Sequence, residues 1–149
     1  MRWKYGRSGD TVIVTFNGRP GACAAAAVLL KNPDAGIYIS SSYHLAKCLE
    51  SIARHDSIRR VHICGMGFRG PMMDLTAALR NLKDKDVTVD WYSGSYWNIE
   101  IEKHISELCS VHFDKDSDFD TQVVLRELGL EEDGRAKLLL KLSDLGVKP

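Results

Sequence analysis

The sequence predicts an α/β domain with a doubly wound sheet of five parallel strands and helices on both faces. Short runs of β-branched and aromatic residues alternate with helical patterns along the chain. These runs are almost continuously apolar, as is typical of parallel strands covered on both faces. At 149 residues, the chain is long enough for one domain, 1–149, with a complete hydrophobic core.

Each predicted element follows from its own pattern. The strands are TVIVTF at 11–16, GIYIS at 36–40, RVHIC at 60–64, VTVDWY at 87–92 and CSVHF at 109–113. Apolar residues three and four positions apart predict helices at 22–31, 43–54, 74–83 and 98–108. Further helices are predicted at 121–128 and, as a C-terminal extension, at 134–145. The first ten residues carry no comparable pattern, and we interpret them as an irregular terminus.

Composition limits the classes of partner. Residues 1–80 hold 11 Lys and Arg against 5 Asp and Glu, whereas residues 81–149 hold 9 against 15, so the formal net charge is zero. The overall basic excess of nonspecific nucleic-acid binders is therefore missing. The four cysteines form no C-x-x-C pair, which favours reduced, buried thiols. Without an apolar run of 18 residues or a signal-peptide pattern, we expect a cytoplasmic protein with no membrane partner.

The loops after the predicted strands are where a ligand is expected, because open parallel sheets bind ligands beyond the carboxyl ends of their strands. These loops are NGRPG at 17–21, SSSY at 40–43, GMGFRGP at 65–71 and SGSYW at 93–97. They contain glycines, hydroxyls and two arginines but no Asp, Glu or His, a composition that suits an anion and not a pair of metal ions. The predicted ligand-binding residues are Asn17, Gly18, Arg19, Gly21, Ala22, Gly65, Arg69, Ser93, Gly94 and Ser95.

The same loops resemble the motif frames of the DHH phosphoesterase superfamily, whose members include RecJ-like exonucleases and exopolyphosphatase-related proteins. The first family motif, H-x-D-x-D-G before small residues, aligns with FNGRPG at 16–21, ahead of ACAAAA. Gly65 stands where the second motif has an Asp, and SGS at 93–95 stands at the Asp-His-His motif. Asp144 of KLSDLG is the one family metal ligand that we can match.

The resemblance implies strand order 2-1-3-4-5 and the N-terminal domain of that superfamily, with the second, substrate-binding domain of active relatives missing. Because the metal-ligand motifs are mostly lost, it implies a pseudoenzyme: a non-catalytic module that binds a nucleotide, a nucleic-acid end or polyphosphate, or acts as a scaffold. We expect no cofactor and no metal. The alternative is a phosphoesterase whose rebuilt site holds Mn²⁺ or Mg²⁺ on Asp90 and Asp144. A protein partner or homodimer through the helix at 138–145 is also open.

Several other residues have both a functional and a structural interpretation. His62 and Cys64 share one side of a strand and could bind a metal, but core packing is the simpler interpretation. Cys23 lies in the first turn of the alanine-rich helix and could be a nucleophile, although small residues there also permit close packing. Trp91 and Trp97 could stack on a base or fill the core. The two arginines, Arg19 and Arg69, could bind an anion or be solvated surface groups.

Overall fold

The computed structural model describes residues 3–5, 9–93, 99–113 and 120–144. They form a six-stranded sheet of order β1-β3-β2-β4-β5-β6. The strands are β1 (Trp3–Tyr5), β2 (Thr11–Phe16), β3 (Gly36–Ser40), β4 (Arg60–Cys64), β5 (Thr88–Ser93) and β6 (Ser110–Phe113). Strands β2 to β6 are parallel, and counted among themselves they have the order 2-1-3-4-5. The predicted fold class and strand order are confirmed.

Six helices connect or follow the strands. They are α1 (Arg19–Lys31), α2 (Leu45–Ala53), α3 (Met72–Asp84), α4 (Ile99–Ser106), α5 (Asp120–Glu127) and α6 (Gly134–Asp144). On one face of the sheet, α2 and α3 cover a core that includes Val14, Ile63 and Trp91. On the other face, α1 and α5 pack over Ile13 and Tyr92, and α6 packs against α1 and α5. Successive residues of each strand thus serve opposite cores, as expected for a sheet buried on both faces.

The N-terminal segment differs from the prediction. Instead of an irregular terminus, β1 pairs antiparallel with β3, with Trp3 opposite Ile39 and Tyr5 opposite Ile37. Aromatic residues favour strands, but a strand of three residues depends on its partner more than on its own sequence. The sequence pattern therefore carried too little signal to reveal it.

Helix α6 is the predicted C-terminal extension. Ala136 is fully buried against the core of the α1 face, and Leu139 and Leu140 are half-buried beside it. Leu138 and Leu142 lie on the outer side and are 58% and 41% exposed. None of the helices in the part of the chain that the structure describes is long and apolar enough to span a membrane.

Candidate functional site

The carboxyl ends of β2, β3 and β4 surround a crevice of about 460 Å³. After β2 the chain crosses to β3 on one side, and after β3 it crosses back to β4 on the other, so the strand order reverses beside β2. This is the position where open α/β sheets bind ligands. We call this cavity the crevice; its lining residues are Phe16, Asn17, Ser40, Ser41, Ser42, Tyr43, Gly65, Met66, Gly67 and Arg69.

The turn from β2 to α1 is held tightly against the sheet. A Cβ atom on Gly21 would lie 2.5 Å from the carbonyl oxygen of Phe16, so glycine is the residue that fits this approach. The hydroxyl of Thr15 lies 2.9 Å from the carbonyl oxygen of Gly21 and 3.3 Å from that of Cys64. These contacts bring the start of α1 to the mouth of the crevice. Its N-cap, Gly18, supplies no side-chain hydrogen bond to the first turn, and Pro20 in that turn carries no N–H.

The loop after β4 forms the opposite wall, and main-chain hydrogen bonds fix it. Gly65 has φ of +74°, a conformation that L side chains rarely adopt, and its amide donates to the carbonyl of Tyr92 at 3.3 Å. The indole N–H of Trp91 donates to the carbonyl of Met66 at 2.8 Å. The amide of Arg69 donates to the carbonyl of Ser42 at 3.2 Å, which joins this loop to the loop after β3. The backbone of Arg69 is thereby fixed beside the crevice, and its exposed side chain lines the crevice.

The loop after β3 supplies hydroxyls and an aromatic ring. Ser41 Oγ and His44 Nδ1 lie 2.8 Å apart, and the His44 amide donates to the same hydroxyl at 3.3 Å. Ser40 is buried, whereas Ser42 is half-buried and Tyr43 is 67% exposed at the rim. Hydroxyl, amide and guanidinium groups therefore converge on the crevice, and the described lining contains no carboxylate.

A second cavity of about 500 Å³ meets the crevice at Phe16 and Asn17, which line both. We call it the trough. It runs between α1 and the outer face of β3, and most of its wall is apolar. Its lining residues are Thr15, Phe16, Asn17, Gly18, Arg19, Ala22, Ala25, Ala26, Leu29, Ile37 and Ile39.

The structure divides the predicted ligand-binding residues among several places. Asn17, Gly65 and Arg69 line the crevice, whereas Gly18, Arg19 and Ala22 line the trough together with Asn17. Gly21 is buried under the turn and lines neither cavity. Ser93 is 1% exposed at the end of β5, and Gly94 and Ser95 lie outside the described residues.

The sequence interpretation missed the apolar half of this region. Ala25, Ala26, Leu29, Ile37 and Ile39 all line the trough. A signal was present, because Ala22, Ala26 and Leu29 lie on one helical face and Ile37 and Ile39 on one face of a strand. Both patterns are also those of ordinary core residues, which is how they were interpreted.

A charged network lies away from the crevice, on the α1 face of β5 and β6. His112 Nε2 is 3.0 Å from one carboxylate oxygen of Asp90, and His112 Nδ1 is 3.1 Å from a carboxylate oxygen of Glu127. Arg60 Nε is 3.2 Å from the other oxygen of Asp90. The Tyr92 ring stacks on the His112 ring, with centroids 4.8 Å apart. The Tyr92 hydroxyl oxygen lies 3.0 Å from His62 Nδ1, within hydrogen-bond distance.

The protonation of this network follows from its contacts. The hydrogen bond to Asp90 is the largest influence on His112 and raises its pKa against the effect of burial, with Glu127 adding to the rise. Burial alone would raise the pKa of Asp90, but the His112 hydrogen bond and the Arg60 charge together hold it below its ordinary value. Burial lowers the pKa of His62 to about 4. These contacts therefore stabilise the imidazolium form of His112, in which both ring nitrogens can donate, whereas burial stabilises the neutral form of His62.

The structure describes the contacts of Asp90, one of the two residues proposed for a rebuilt metal site. Both carboxylate oxygens of Asp90 are already engaged by Arg60 and His112. Asp144 is the last residue of α6. Among residues 3–5, 9–93, 99–113 and 120–144, no group of three or more His, Cys, Asp or Glu is placed to hold a metal ion.

The structure also describes several residues for which the sequence allowed both a functional and a structural interpretation. Cys23 is buried, and burial raises the pKa of its thiol despite the nearby Arg19 charge, which disfavours a nucleophilic thiolate. His62 and Cys64 are both buried in β4 on the α1 face. Trp91 is fully buried in the core of the α2 and α3 face, whereas Trp97 lies outside the described residues.

Comparison with known proteins assigns the chain to no family. No family model matches the sequence, and no curated protein matches it. Two crystal structures of S. aureus homoserine dehydrogenase, at pH 7.0 and pH 6.5, are similar at 12% identity and a TM-score of 0.39. The alignments cover 86% and 87% of this chain but 44% and 45% of those chains. The chain thus spans less than half the length of these proteins, and likeness at this level carries no information about ligand or chemistry.

Proposed function

We propose that this protein is a non-catalytic, DHH-like module whose crevice binds a phosphate-containing ligand, such as a nucleotide, a nucleic-acid end or polyphosphate. One observation carries the proposal. The crevice lies where the strand order reverses and is lined by peptide groups, hydroxyls, an amide and a guanidinium, with no carboxylate in the described lining. Such a donor set recognises an anion without a bridging metal ion.

Within this proposal, Arg69 is the principal electrostatic contact. Its guanidinium can donate two parallel hydrogen bonds to phosphate oxygens, a geometry that lysine lacks. Asn17 and the Ser42 hydroxyl supply neutral donors, and the start of α1 adds partial positive charge on the far side. Each donor belongs to a loop tied to the sheet, which lowers the entropy lost on binding.

We propose a non-catalytic module because the loops after the strands lack the side chains that bind catalytic metal ions. Metal-assisted phosphoester hydrolysis requires several carboxylate or imidazole ligands that hold ions about 3.5–4 Å apart. At the positions of the family's metal ligands in the first two motifs, this chain has Phe16, Gly18, Pro20 and Gly65. Both carboxylate oxygens of Asp90 already contact other side chains, Arg60 and His112. These contacts disfavour the alternative, a phosphoesterase whose rebuilt metal site uses Asp90 and Asp144.

Thermal and calorimetric titration tests the proposal. Inorganic phosphate, tripolyphosphate, AMP and a 5′-phosphorylated dinucleotide are the probes, and a probe at 100 times its Kd should stabilise the fold by about 2.7 kcal/mol. The Arg69→Gln variant should lose this shift, whereas Arg80→Gln, an exposed arginine on α3 outside the crevice, should keep it. No shift with any probe, or equal shifts in both variants, would refute the proposal.

An activity assay separates the proposal from its alternative. With Mn²⁺ or Mg²⁺ and p-nitrophenyl phosphate, bis-p-nitrophenyl phosphate or polyphosphate, we expect no turnover above the rate of buffer alone. Metal-dependent turnover that is abolished by Asp144→Asn and by Asp90→Asn would favour the phosphoesterase instead.

A scaffold role through α6 is a second candidate, favoured by the exposure of Leu138 and Leu142. These leucines are four residues apart, so they lie on one side of the helix and form an apolar stripe. Light scattering at two protein concentrations tests self-association through this stripe. If a dimer forms and uses the stripe, a Leu138→Ser, Leu142→Ser variant should be monomeric, and a dimer that persists in the variant would locate the interface elsewhere.

A further inference from the structure

The trough next to the crevice has the features of a binding groove for an apolar group. Its walls are Ala22, Ala26 and Leu29 of α1 and the half-buried Ile37 and Ile39 of β3. Helix α1 packs over β2 and β4, and the short alanine side chains on its outer side leave space above β3. At about 500 Å³, the trough falls within the usual range of small-molecule sites.

The trough and the crevice differ in chemistry but are adjacent. Phe16 and Asn17 line both cavities, so a ligand that passes over this turn can occupy the two at once. Arg69 contributes positive charge to the crevice, and Arg19 contributes it at the trough end nearest the turn. Among the described residues that line the crevice and the trough, there is no Asp or Glu. The combined site therefore has a cationic, hydrogen-bonding part and an apolar part.

We propose that the ligand of this site is a phosphomonoester of an apolar alcohol, with its phosphate in the crevice and its hydrocarbon group in the trough. This inference rests on the proposed function, because it places the phosphate in the same crevice. It goes further by naming what the phosphate is attached to. An inorganic polyphosphate would leave the apolar trough empty, whereas an alkyl group would bury against its alanine and isoleucine side chains.

The length of the trough sets the size of the hydrocarbon. From Ala22 to Leu29 the helix rises roughly 10 Å at about 1.5 Å per residue, which is close to the extended length of an octyl chain. Each methylene that leaves water completely should tighten binding about threefold to fourfold. Because Ala22 is exposed and Ala26 is half-buried, part of the chain stays in contact with water. From butyl to octyl phosphate we accordingly expect at least about a tenfold gain in affinity.

Isothermal titration with a homologous series tests this inference. The probes are inorganic phosphate, butyl phosphate and octyl phosphate below its micelle concentration, with 1-octanol as the uncharged comparison. Affinity should rise with chain length, and 1-octanol should bind at least tenfold more weakly than octyl phosphate. Equal affinity for butyl and octyl phosphate, or AMP binding as tightly as octyl phosphate, would overturn the inference.

Variants of the trough provide the second arm. Ala26→Leu narrows the groove, and Ala22→Leu does so at an exposed position where the fold tolerates a larger side chain. Each should remove most of the gain from chain length, so the ratio of octyl phosphate affinity to inorganic phosphate affinity should fall at least about fivefold. Ala77→Leu, at an exposed position of α3, is the matched control and should bind like the wild type. Unaltered chain-length dependence in both trough variants would overturn the inference.

The two proposals fail in different ways. Binding of inorganic phosphate that depends on Arg69, with no gain from the alkyl chain, would overturn the inference and leave the proposed function in place. Octyl phosphate binding that is unaffected by Arg69→Gln would overturn the inference, because the phosphate would then lie outside the crevice. Failure of all the phosphates to bind would overturn both.

Discussion

Replacing Gly21 by alanine tests how closely α1 must approach β2 to form the crevice. The added Cβ would lie 2.5 Å from the Phe16 carbonyl oxygen and 2.9 Å from the Thr15 hydroxyl oxygen, whereas real Cβ atoms essentially never come closer than 3.0 Å. The nearest atom belongs to the backbone, so the helix itself must move by about 0.5 Å or more to relieve the contact. That movement also stretches the 2.9 Å hydrogen bond from Thr15 to the Gly21 carbonyl.

The expected cost is the balance of three effects. Overpacking of this kind costs about 1–3 kcal/mol, and weakening a buried hydrogen bond adds up to about 1 kcal/mol. Alanine returns about 0.5–1 kcal/mol, because it favours the helix over glycine. We therefore expect Gly21→Ala to lower the free energy of unfolding by about 1–3 kcal/mol, or the Tm by about 2–4 °C for each kcal/mol.

Urea denaturation followed by circular dichroism measures this change directly. The matched control is Gly134→Ala at the first position of α6, where an added Cβ meets no atom within 4 Å. The control should be as stable as the wild type or slightly more stable. If Gly21→Ala were also as stable as the wild type, the close approach of α1 to β2 would be wrong.

The remaining predictions concern the charged network and are all tested by urea denaturation across pH. The raised pKa of His112 means that its contribution to stability is fully present below its unfolded pKa of about 6.5 and is lost as pH rises through the folded value. The difference in free energy of unfolding between the wild type and His112→Gln should therefore shrink above neutral pH. If this difference did not change with pH, the ion pairs of His112 with Asp90 and Glu127 would be refuted. For His62, whose pKa burial lowers to about 4, stability should fall by roughly 3 kcal/mol between pH 7 and pH 4. The His62→Gln variant should lose much of this acid sensitivity, whereas the control His104→Gln, at an exposed position, should retain it. If the two variants had the same dependence of stability on pH, the assignment of His62 as a buried neutral imidazole would be wrong.

Most of the fold followed from local sequence patterns. The strands at 11–16, 36–40 and 60–64 have the predicted bounds, because β-branched runs there end abruptly at small or polar residues. The fourth and fifth strands begin one residue later than predicted. Helix α1 begins at Arg19 and not at residue 22, because Pro20 fits the first turn of a helix, where its missing N–H is not needed.

The candidate site was less accessible to sequence reasoning. Asn17, Gly65 and Arg69 could be placed together because parallel strands end at one edge of the sheet. The trough could not be inferred, because Ala26 and Ile39 come from different elements whose spacing depends on how α1 packs. For the same reason nothing in the sequence linked His112 to Glu127, which lie on β6 and α5 and meet only through packing.

Nearness in sequence does not bring the histidines of the α4–β6 region together. His104 and His112 are eight residues apart. In the structure, His104 Nε2 lies 3.2 Å from the Thr76 hydroxyl at an exposed position, while His112 contacts Asp90 and Glu127. The two histidines therefore make different contacts.

Backbone amide shifts in a two-dimensional NMR titration with inorganic phosphate would test the central claim most directly, since they report the position of the anion without a variant. We expect the largest shifts at Asn17, at Gly65 to Gly67 and at Arg69, around the crevice. Shifts centred on Arg60 and His112, or spread evenly over the surface lysines and arginines, would contradict the claim that the strand-end crevice is the anion site.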